Sequence, residues 1–266
     1  MGGQSGHAFP ERWVVRGWRG LFARGLSGGW GLARRASCVR PGFRVLMYHA
    51  IGTPIPEDRL GLYTLSPALF SEQMRVVAAN ATMPVRSFAD AAEAAQGVAI
   101  TFDDGYRDGL TEAAPVLAEL GLPFTVFVTT AYVRSGDRIY LSPQELRELA
   151  QGPGATIGAH GATHAKLSQC TDVELQRELV DSRHYLEDLL QKPVTTMSYP
   201  HGAVDRRVRD AAGRAGYLLG ACSRFGTNLD NRDPLILKRT DIWSDDGVNA
   251  FRSKMDGNWD WMGLRT

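Results

Sequence analysis

Two short segments of the chain contain the residue types that bind a metal ion and activate water. Residues 101–105 read Thr-Phe-Asp-Asp-Gly, so that Asp103 and Asp104 are adjacent, and His160 and His164 follow four residues apart. Two imidazoles and one carboxylate form a three-ligand set that leaves coordination positions open for water and substrate. The spacing therefore predicts a metal site in which one aspartate is a ligand and its neighbour accepts a proton.

Neither segment is specific when it is taken alone. Asp-Asp-Gly is most often a turn or the cap of a helix, and many His-x-x-x-His pairs are ordinary surface histidines. Here each segment ends or follows an apolar run, where α/β folds place their sites. Because both segments occur together in this order, a shared site is the better interpretation.

The segments resemble motifs of the polysaccharide deacetylase family, which is also called the NodB-homology domain or carbohydrate esterase family four. The first motif, Thr-Phe-Asp-Asp-Gly, is complete at 101–105. The second, His-Ser/Thr-x-x-His, keeps both histidines but has Gly161 at the hydroxyl position. The third resembles Arg-x-Pro-Tyr-Gly; residues 198–202 read Ser-Tyr-Pro-His-Gly, so Ser198 and His201 depart from it.

An upstream segment carries a further resemblance. Residues 47–51 read Met-Tyr-His-Ala-Ile, which resembles the Tyr-His-x-Ile signature of the family branch that acts on poly-N-acetylglucosamine-type polymers. The resemblance extends over about residues 42–255, and the segment from Pro41-Gly42 onward is where a folded domain is predicted to begin. We therefore expect a basic N-terminal segment at 1–41 and one catalytic domain at 42–266.

The resemblance implies a role for each residue of the first two motifs. Asp104, His160 and His164 are the implied metal ligands, and Asp103 is the implied general base. Imidazole and carboxylate ligands suit zinc, which is the first candidate, and also iron, cobalt and nickel.

Three further catalytic assignments depend on where the chain departs from the family pattern. No histidine follows His201, so the late Leu-x-His motif that supplies the general acid is missing. His49, which ends the first predicted strand, is the predicted acid; His201 is the alternative, and a backbone N–H near it is a candidate oxyanion donor. The third-motif arginine of the family orients the catalytic aspartate. Ser198 stands at that position here and is not expected to supply the positive charge of the arginine. Arg239, at the end of the last predicted strand, is hypothesised to supply that cation, the alternative being a surface salt bridge.

Apolar strand patterns alternate with helix patterns along the domain, which predicts a parallel α/β sheet. The clearest are a strand over 124–128, a strand over 235–242 and a helix over 172–190. About seven strands favour a barrel, and the resemblance implies a distorted (β/α)7-type barrel with its site at the carboxyl ends of the strands. No G-x-G-x-x-G segment is present, so a dinucleotide site is not predicted.

Composition and charge exclude some partners. The chain has 266 residues and a formal net charge of +1, which argues against general nucleic-acid binding. Residues 12–35 interleave arginines with apolar residues at helical spacing, which predicts a basic amphipathic helix on an anionic membrane surface; a helix packed on the barrel or a poorly ordered terminus are equal alternatives. With no apolar secretory segment or membrane span evident, we expect the cytoplasm or the inner membrane face.

The predicted function is metal-dependent removal of N-acetyl groups from N-acetylhexosamine residues of a polysaccharide or a lipid-linked saccharide. The expected location favours a biosynthetic precursor over a finished wall polymer. The same site on a different substrate would be an O-acetyl esterase. Because the third motif is degraded, a glycan-binding homologue with weak catalysis is a third hypothesis, and an iron oxygenase with two histidines and one carboxylate is a fourth.

Overall fold

The computed structural model describes residues 42–56 and 58–264. The predicted basic segment at 1–41 lies outside the described residues, and membrane contact through 12–35 stays a prediction. Within the described part, no helix combines the length and the apolar character needed to cross a membrane.

Strands and helices alternate as the sequence pattern predicts. The strands are β1 (Phe43–Tyr48), β2 (Ala50–Ile51), β3 (Thr64–Leu65), β4 (Gly97–Phe102), β5 (Phe124–Val128), β6 (Ala155–Ala159), β7 (Thr196–Ser198), β8 (Leu219–Ala221) and β9 (Thr240–Asp241). The α-helices are α1 (Pro67–Ala78), α2 (Ala114–Glu119), α3 (Thr130–Arg134), α4 (Pro143–Gln151), α5 (Asp172–Leu190), α6 (Arg206–Arg214) and α7 (Val248–Met255). Short 3₁₀ helices cover Phe88–Ala92, Leu167–Gln169, Pro200–Gly202 and Asp260–Leu264.

Seven strands form one curled parallel sheet in the order β8-β7-β6-β5-β4-β1-β9. β1, β4 and β5 are buried along their whole length, as expected for parallel strands that are covered on both faces. β2 and β3 pair separately as a two-stranded sheet. The predicted α/β fold with a distorted (β/α)7-type barrel is confirmed.

The segment 235–242 connects the two edges of the curled sheet. The Leu237 N–H donates to the Gly220 carbonyl at 2.7 Å, beside edge strand β8, and the Ile242 N–H donates to the Met47 carbonyl of β1 at 3.1 Å. The prediction of one strand over 235–242 is wrong in its length, since only β9 is regular strand. The chain has to cross from one edge to the other, so it cannot pair with a single neighbour throughout.

Side-chain caps define the starts of α1, α4 and α5. Ser66, Ser142 and Thr171 each accept a backbone hydrogen bond at a helix start, which satisfies an N–H that has no partner inside the helix. The predicted helix over 172–190 is confirmed as α5.

The segment that follows Asp108 is not a regular α-helix from its first residue. The chain first forms a π-helical segment at Gly109–Ala113 and becomes α-helical only in α2. Pro115 has no N–H to donate, so the regular ladder is interrupted there. Asp108 makes no cap; instead its Oδ2 accepts from the backbone N–H groups of Ile51 at 2.7 Å and Thr53 at 2.9 Å. These bonds fasten the loop that follows His49 to the segment that follows Asp104.

Candidate active site

The site residues lie at the carboxyl ends of neighbouring parallel strands. Asp103 and Asp104 follow β4, His160 follows β6, and Ser198 is the last residue of β7. Because these ends meet at one edge of a parallel sheet, residues far apart in sequence converge there.

Asp104, His160 and His164 form a cluster that suits a metal ion. Asp104 Oδ1 lies 3.4 Å from His160 Nε2 and 3.2 Å from His164 Nε2, and one ligand atom from each residue lies within 4.8 Å of the others. Ligands bound tetrahedrally at about 2.0–2.1 Å from zinc are about 3.4 Å apart. The three predicted ligands therefore have the separation that one shared ion requires.

Two details of this cluster support a cation rather than a hydrogen-bonded triad. Asp104 Oδ1 is buried and has no hydrogen-bond partner among the described residues, a cost that a cation would offset. His160 Nδ1 lies 2.8 Å from the carbonyl oxygen of Ser198. With its Nδ1–H donated to that carbonyl, His160 presents the Nε2 lone pair to the cluster, which is the usual arrangement for a histidine that ligates a metal.

Backbone strain is concentrated at this cluster. Asp104, His164 and His201 have φ angles of 72°, 64° and 57°, in the left-handed region that non-glycine residues seldom adopt. Such strain persists only where the surrounding structure enforces it, and it is frequent at functional sites.

Arg239 binds Asp103 through two parallel hydrogen bonds. Nη1 donates to Oδ1 and Nη2 donates to Oδ2, both at 2.7 Å. Both side chains are buried, so the alternative of a surface salt bridge is wrong. This paired geometry is the strongest that a guanidinium and a carboxylate make.

Ser198 has a contact that the sequence pattern did not predict. Its hydroxyl donates to Asp103 Oδ2 at 3.3 Å and accepts from Arg239 Nη2 at 2.8 Å. Ser198 supplies no charge, as expected, but its hydroxyl hydrogen-bonds both members of the Asp103–Arg239 pair. The small side chain stands at the motif's arginine position, while the cation reaches Asp103 from the segment before β9.

The surroundings of both aspartates favour their charged forms. Burial raises the pKa of Asp103, but Arg239, His160 and His49 together lower it below its ordinary value. Burial also raises the pKa of Asp104, but the adjacent imidazoles of His160 and His164 outweigh this effect and hold the pKa well below its ordinary value. Asp103 Oδ2 lies 3.9 Å from His160 Nε2, so this carboxyl group lies beside the cluster.

His49 lies at the side of the site that β1 and β9 form. Its ring is 4.5 Å from the Tyr63 ring, and its Nδ1 is buried without a hydrogen-bond partner among the described residues. His49 also interacts electrostatically with Asp103, Asp104 and Asp241.

Asp241 is a candidate site residue that sequence reasoning missed. Burial raises the pKa of its carboxyl group, and His49 is the largest influence in the opposite direction. Its Oδ2 accepts from Trp243 Nε1 at 2.8 Å, and Lys254 Nζ donates to its backbone carbonyl at 2.7 Å. Asp241 follows Arg239 by two residues, a spacing that places both side chains on one face of an extended segment, and this signal was present in the sequence.

His201 lies beside the cluster rather than beside Asp103. Its ring is 4.4 Å from the ring of His164. Desolvation and the neighbouring His164 lower the pKa of His201. The structure thus joins Asp103, Arg239 and the metal cluster by direct contacts, with His49 and His201 as two separate candidates for the acid.

Comparison with known proteins identifies the domain. Residues 90–220 match the family model described as polysaccharide deacetylase. The chain is 31% identical over 154 residues to YxkH of Bacillus subtilis (strain 168), whose name places it among polysaccharide deacetylases. This match covers 58% of the chain and 54% of the relative, so the chain spans about half the length of this curated protein.

Solved structures share the fold. The Streptococcus pyogenes deacetylase PplD, determined in complex with acetate, is 25% identical with a TM-score of 0.72, over 81% of this chain and 99% of PplD. BC0361, a polysaccharide deacetylase from Bacillus cereus, is 27% identical with a TM-score of 0.70, over 80% of this chain and 69% of its own. The resemblance that the motifs predict is therefore confirmed: the chain matches the polysaccharide deacetylase model over residues 90–220 and shares its fold with solved deacetylases.

Proposed function

We propose that this protein is a metal-dependent hydrolase that removes N-acetyl groups from N-acetylhexosamine residues of a polysaccharide or a lipid-linked saccharide. The observation that carries the proposal is a buried aspartate, bound by a buried arginine through two hydrogen bonds, beside a cluster of one carboxylate and two imidazoles. A module that only binds glycan has no need for a base next to metal ligands.

Asp104, His160 and His164 are the residues that would hold the ion. When bound, a divalent ion at such a site polarises a carbonyl group and lowers the pKa of water from about 15.7 toward about 7. The burial of Asp104 and His160 limits their motion and keeps the ligand atoms in place. Zinc is the first candidate, followed by iron, cobalt and nickel, since the donor set suits each of them.

Asp103 is proposed to take the proton from the attacking water. Its lowered pKa keeps it ionised at neutral pH, so it is available as a base. Arg239 and Ser198 are positioning residues that hold both carboxylate oxygens. The leaving amine then needs a proton, which we assign to His49, with His201 as the alternative.

Acetate release from defined substrates tests the proposal. The purified protein is incubated with zinc, cobalt, nickel or iron and with acetylated chito-oligosaccharides or lipid-linked saccharides. We expect metal-stimulated acetate release that Asp103→Asn lowers by about 100-fold or more, since a positioned base contributes that much. Asp188→Asn, an exposed aspartate on α5, is the matched control and should retain full activity.

The nature of the bond is tested with matched N- and O-acetylated glycans. Release from the N-acetyl substrate supports the proposal. Release from the ester alone would replace it with an O-acetyl esterase, and metal binding without release from either would indicate a binding protein. Undiminished release by Asp103→Asn would remove the assigned base.

A further inference from the structure

The loop that joins the two predicted metal-ligand histidines is held by a buried carboxylate on another element. Glu178, in the middle of α5, accepts hydrogen bonds at Oε2 from the backbone N–H groups of Ala162 at 2.8 Å and Thr163 at 2.9 Å. Its Oε1 accepts from the Thr163 hydroxyl at 2.5 Å. One side chain therefore binds three donors within residues 160–164.

The carbonyl groups of the same loop are bound from α3 and the residue before it. Thr129 Oγ1 donates to the His160 carbonyl at 3.1 Å. The backbone N–H groups of Thr130 and Ala131 donate to the carbonyls of Gly161 at 3.3 Å and Ala162 at 2.8 Å. The loop is thus fixed between two helices, and Glu178 supplies the acceptors on one side.

Gly161 shows why the carboxylate can approach so closely. A Cβ atom at this position would lie 2.9 Å from Glu178 Oε2 and 3.3 Å from Pro200 Cγ, and the φ angle of Gly161 is +72°. Contacts under 3.0 Å force one partner to move, and this backbone conformation is strained for any residue with a Cβ atom. The position where the second motif has a hydroxyl residue is therefore closed to a side chain here.

Glu178 itself is held rigidly. Leu175 lies three residues before Glu178 on α5 and Ser182 lies four residues after it, and both are buried. Residues at these spacings share one helix face, so the glutamate enters the site from a face that is anchored in the core. Groups supported in this way hold a site more accurately than loop residues do.

We propose that Glu178 is a positioning residue for His164, and that its close approach to the loop requires glycine at position 161. The proposal rests on the proposed metal site, because it assigns Glu178 to holding a ligand in place. His164 has a left-handed backbone and a half-buried ring. The hydrogen bonds to the two residues before it therefore set where its ring lies.

Metal titration of the full chain tests this assignment. Zn²⁺ and Co²⁺ affinities are measured by calorimetry for the wild type and Glu178→Gln, and the d–d absorption of the Co²⁺ form is recorded. The amide keeps one acceptor oxygen but loses the negative charge and the second acceptor that Thr163 uses, so we expect the dissociation constant to rise about 10- to 100-fold, the usual effect of losing a partner behind a ligand. The Co²⁺ spectrum should change, and acetate release should recover at saturating metal.

Asp181→Asn is the matched control, because it makes the same charge change one turn along α5 at an exposed position; its metal affinity should equal that of the wild type. If Glu178→Gln does not fold, Thr163→Val carries the test, since it removes only the hydroxyl donor and should weaken metal affinity by a smaller factor. Wild-type affinity and an unchanged Co²⁺ spectrum in the folded variant would overturn the assignment of Glu178. Absence of metal binding by the wild type would instead overturn the proposed site.

A double-mutant cycle tests the link between Gly161 and Glu178. Gly161→Ser should weaken metal binding on its own, because its side chain meets the carboxylate. In the Glu178→Ala background that contact is gone, so the combined loss should be smaller than the product of the separate factors. If the two losses of metal affinity simply multiply, the close approach of Glu178 does not depend on glycine at position 161.

Discussion

Asp103 has the cation that its environment requires, although the cation does not come from the motif that usually supplies it. Ser198 at the motif position is small, and Arg239 fills the space from another part of the sheet with a paired contact. An ionised carboxylate that is buried without a partner costs several kcal/mol. Asp103 therefore has a positively charged partner, which comes from position 239 and not from position 198.

Replacement of Arg239 by alanine should affect both pH dependence and stability. The guanidinium lowers the pKa of Asp103, so its removal raises that pKa, and less of the base is ionised at a given acidic pH. We expect the acidic limb of the kcat/KM profile to move to higher pH. Denaturant unfolding should show a loss of about 3–5 kcal/mol, because one charge of a buried pair is left alone.

Arg209→Ala is the control for this prediction. Arg209 pairs with Asp233 at 2.9 Å, and both side chains are more than a third exposed. Exposed pairs contribute about 0–1 kcal/mol, so this variant should retain the wild-type pH profile and nearly all of its stability. A pH profile of Arg239→Ala that coincides with the wild type would contradict the proposed positioning role.

The two candidate acids can be separated by single substitutions. His49→Gln should lower kcat by about 100- to 10,000-fold, the range for a positioned acid, and should leave metal affinity unchanged. His201→Gln should have a smaller effect on kcat. His201 packs on His164, whereas His49 interacts electrostatically with Asp103 and Asp241. Measured kcat values and calorimetric metal affinities decide between them, and a larger loss for His201→Gln would reverse the assignment.

At the scale of elements, the local sequence pattern predicted the bounds of elements whose conformation depends mainly on burial of their own apolar residues. α5 and β5 agree with their predicted bounds, because a helical stripe and an apolar β-branched run are strong local signals. The segment 235–242 was predicted as one strand and is not, and α3 was not predicted at all. Their conformation is set by partners distant in the sequence, namely both sheet edges and the histidine loop.

Gly158 in β6 offers a test of packing at this scale. A Cβ atom there would lie 2.5 Å from Phe127 Cδ1 and 2.7 Å from Thr196 Oγ1, whereas one at Gly109 has nothing within 4 Å. Gly158→Ala should lower the free energy of unfolding by about 1–3 kcal/mol, the usual cost of overpacking. Gly109→Ala is the matched control and should be neutral or slightly stabilising; equal denaturation midpoints for both would contradict the packing described for β6.

At the scale of the whole molecule, the site depends on which strands are neighbours in the sheet. The sequence predicts the order of the strands along the chain but not their order in the sheet. The motifs predicted which residues form the candidate metal cluster, since their types and spacing carry the chemistry. The contacts of Ser198, Glu178 and Asp241 were not predicted, because each depends on which strand or helix lies beside which. A single sequence carries no direct record of that adjacency.

Metal binding should stabilise the entire fold. An ion that binds only the folded chain adds about 2.7 kcal/mol when its concentration is 100 times the dissociation constant. We expect Zn²⁺ to raise the thermal midpoint of the wild type and a chelator to reverse the shift. His164→Ala should abolish the shift because it removes one of three ligands, and an unchanged shift would exclude His164 from the site.

The segment that joins the two sheet edges also has a kinetic consequence. Arg239 and Asp103 are separated by 136 residues, and pairings over such distances are slow to form. A nascent chain synthesised only as far as residue 230 has the aspartate but lacks the guanidinium. In refolding experiments, acetate release should therefore return with the slowest phase, after most helical signal has recovered; activity that returned with the helices would contradict this order of events.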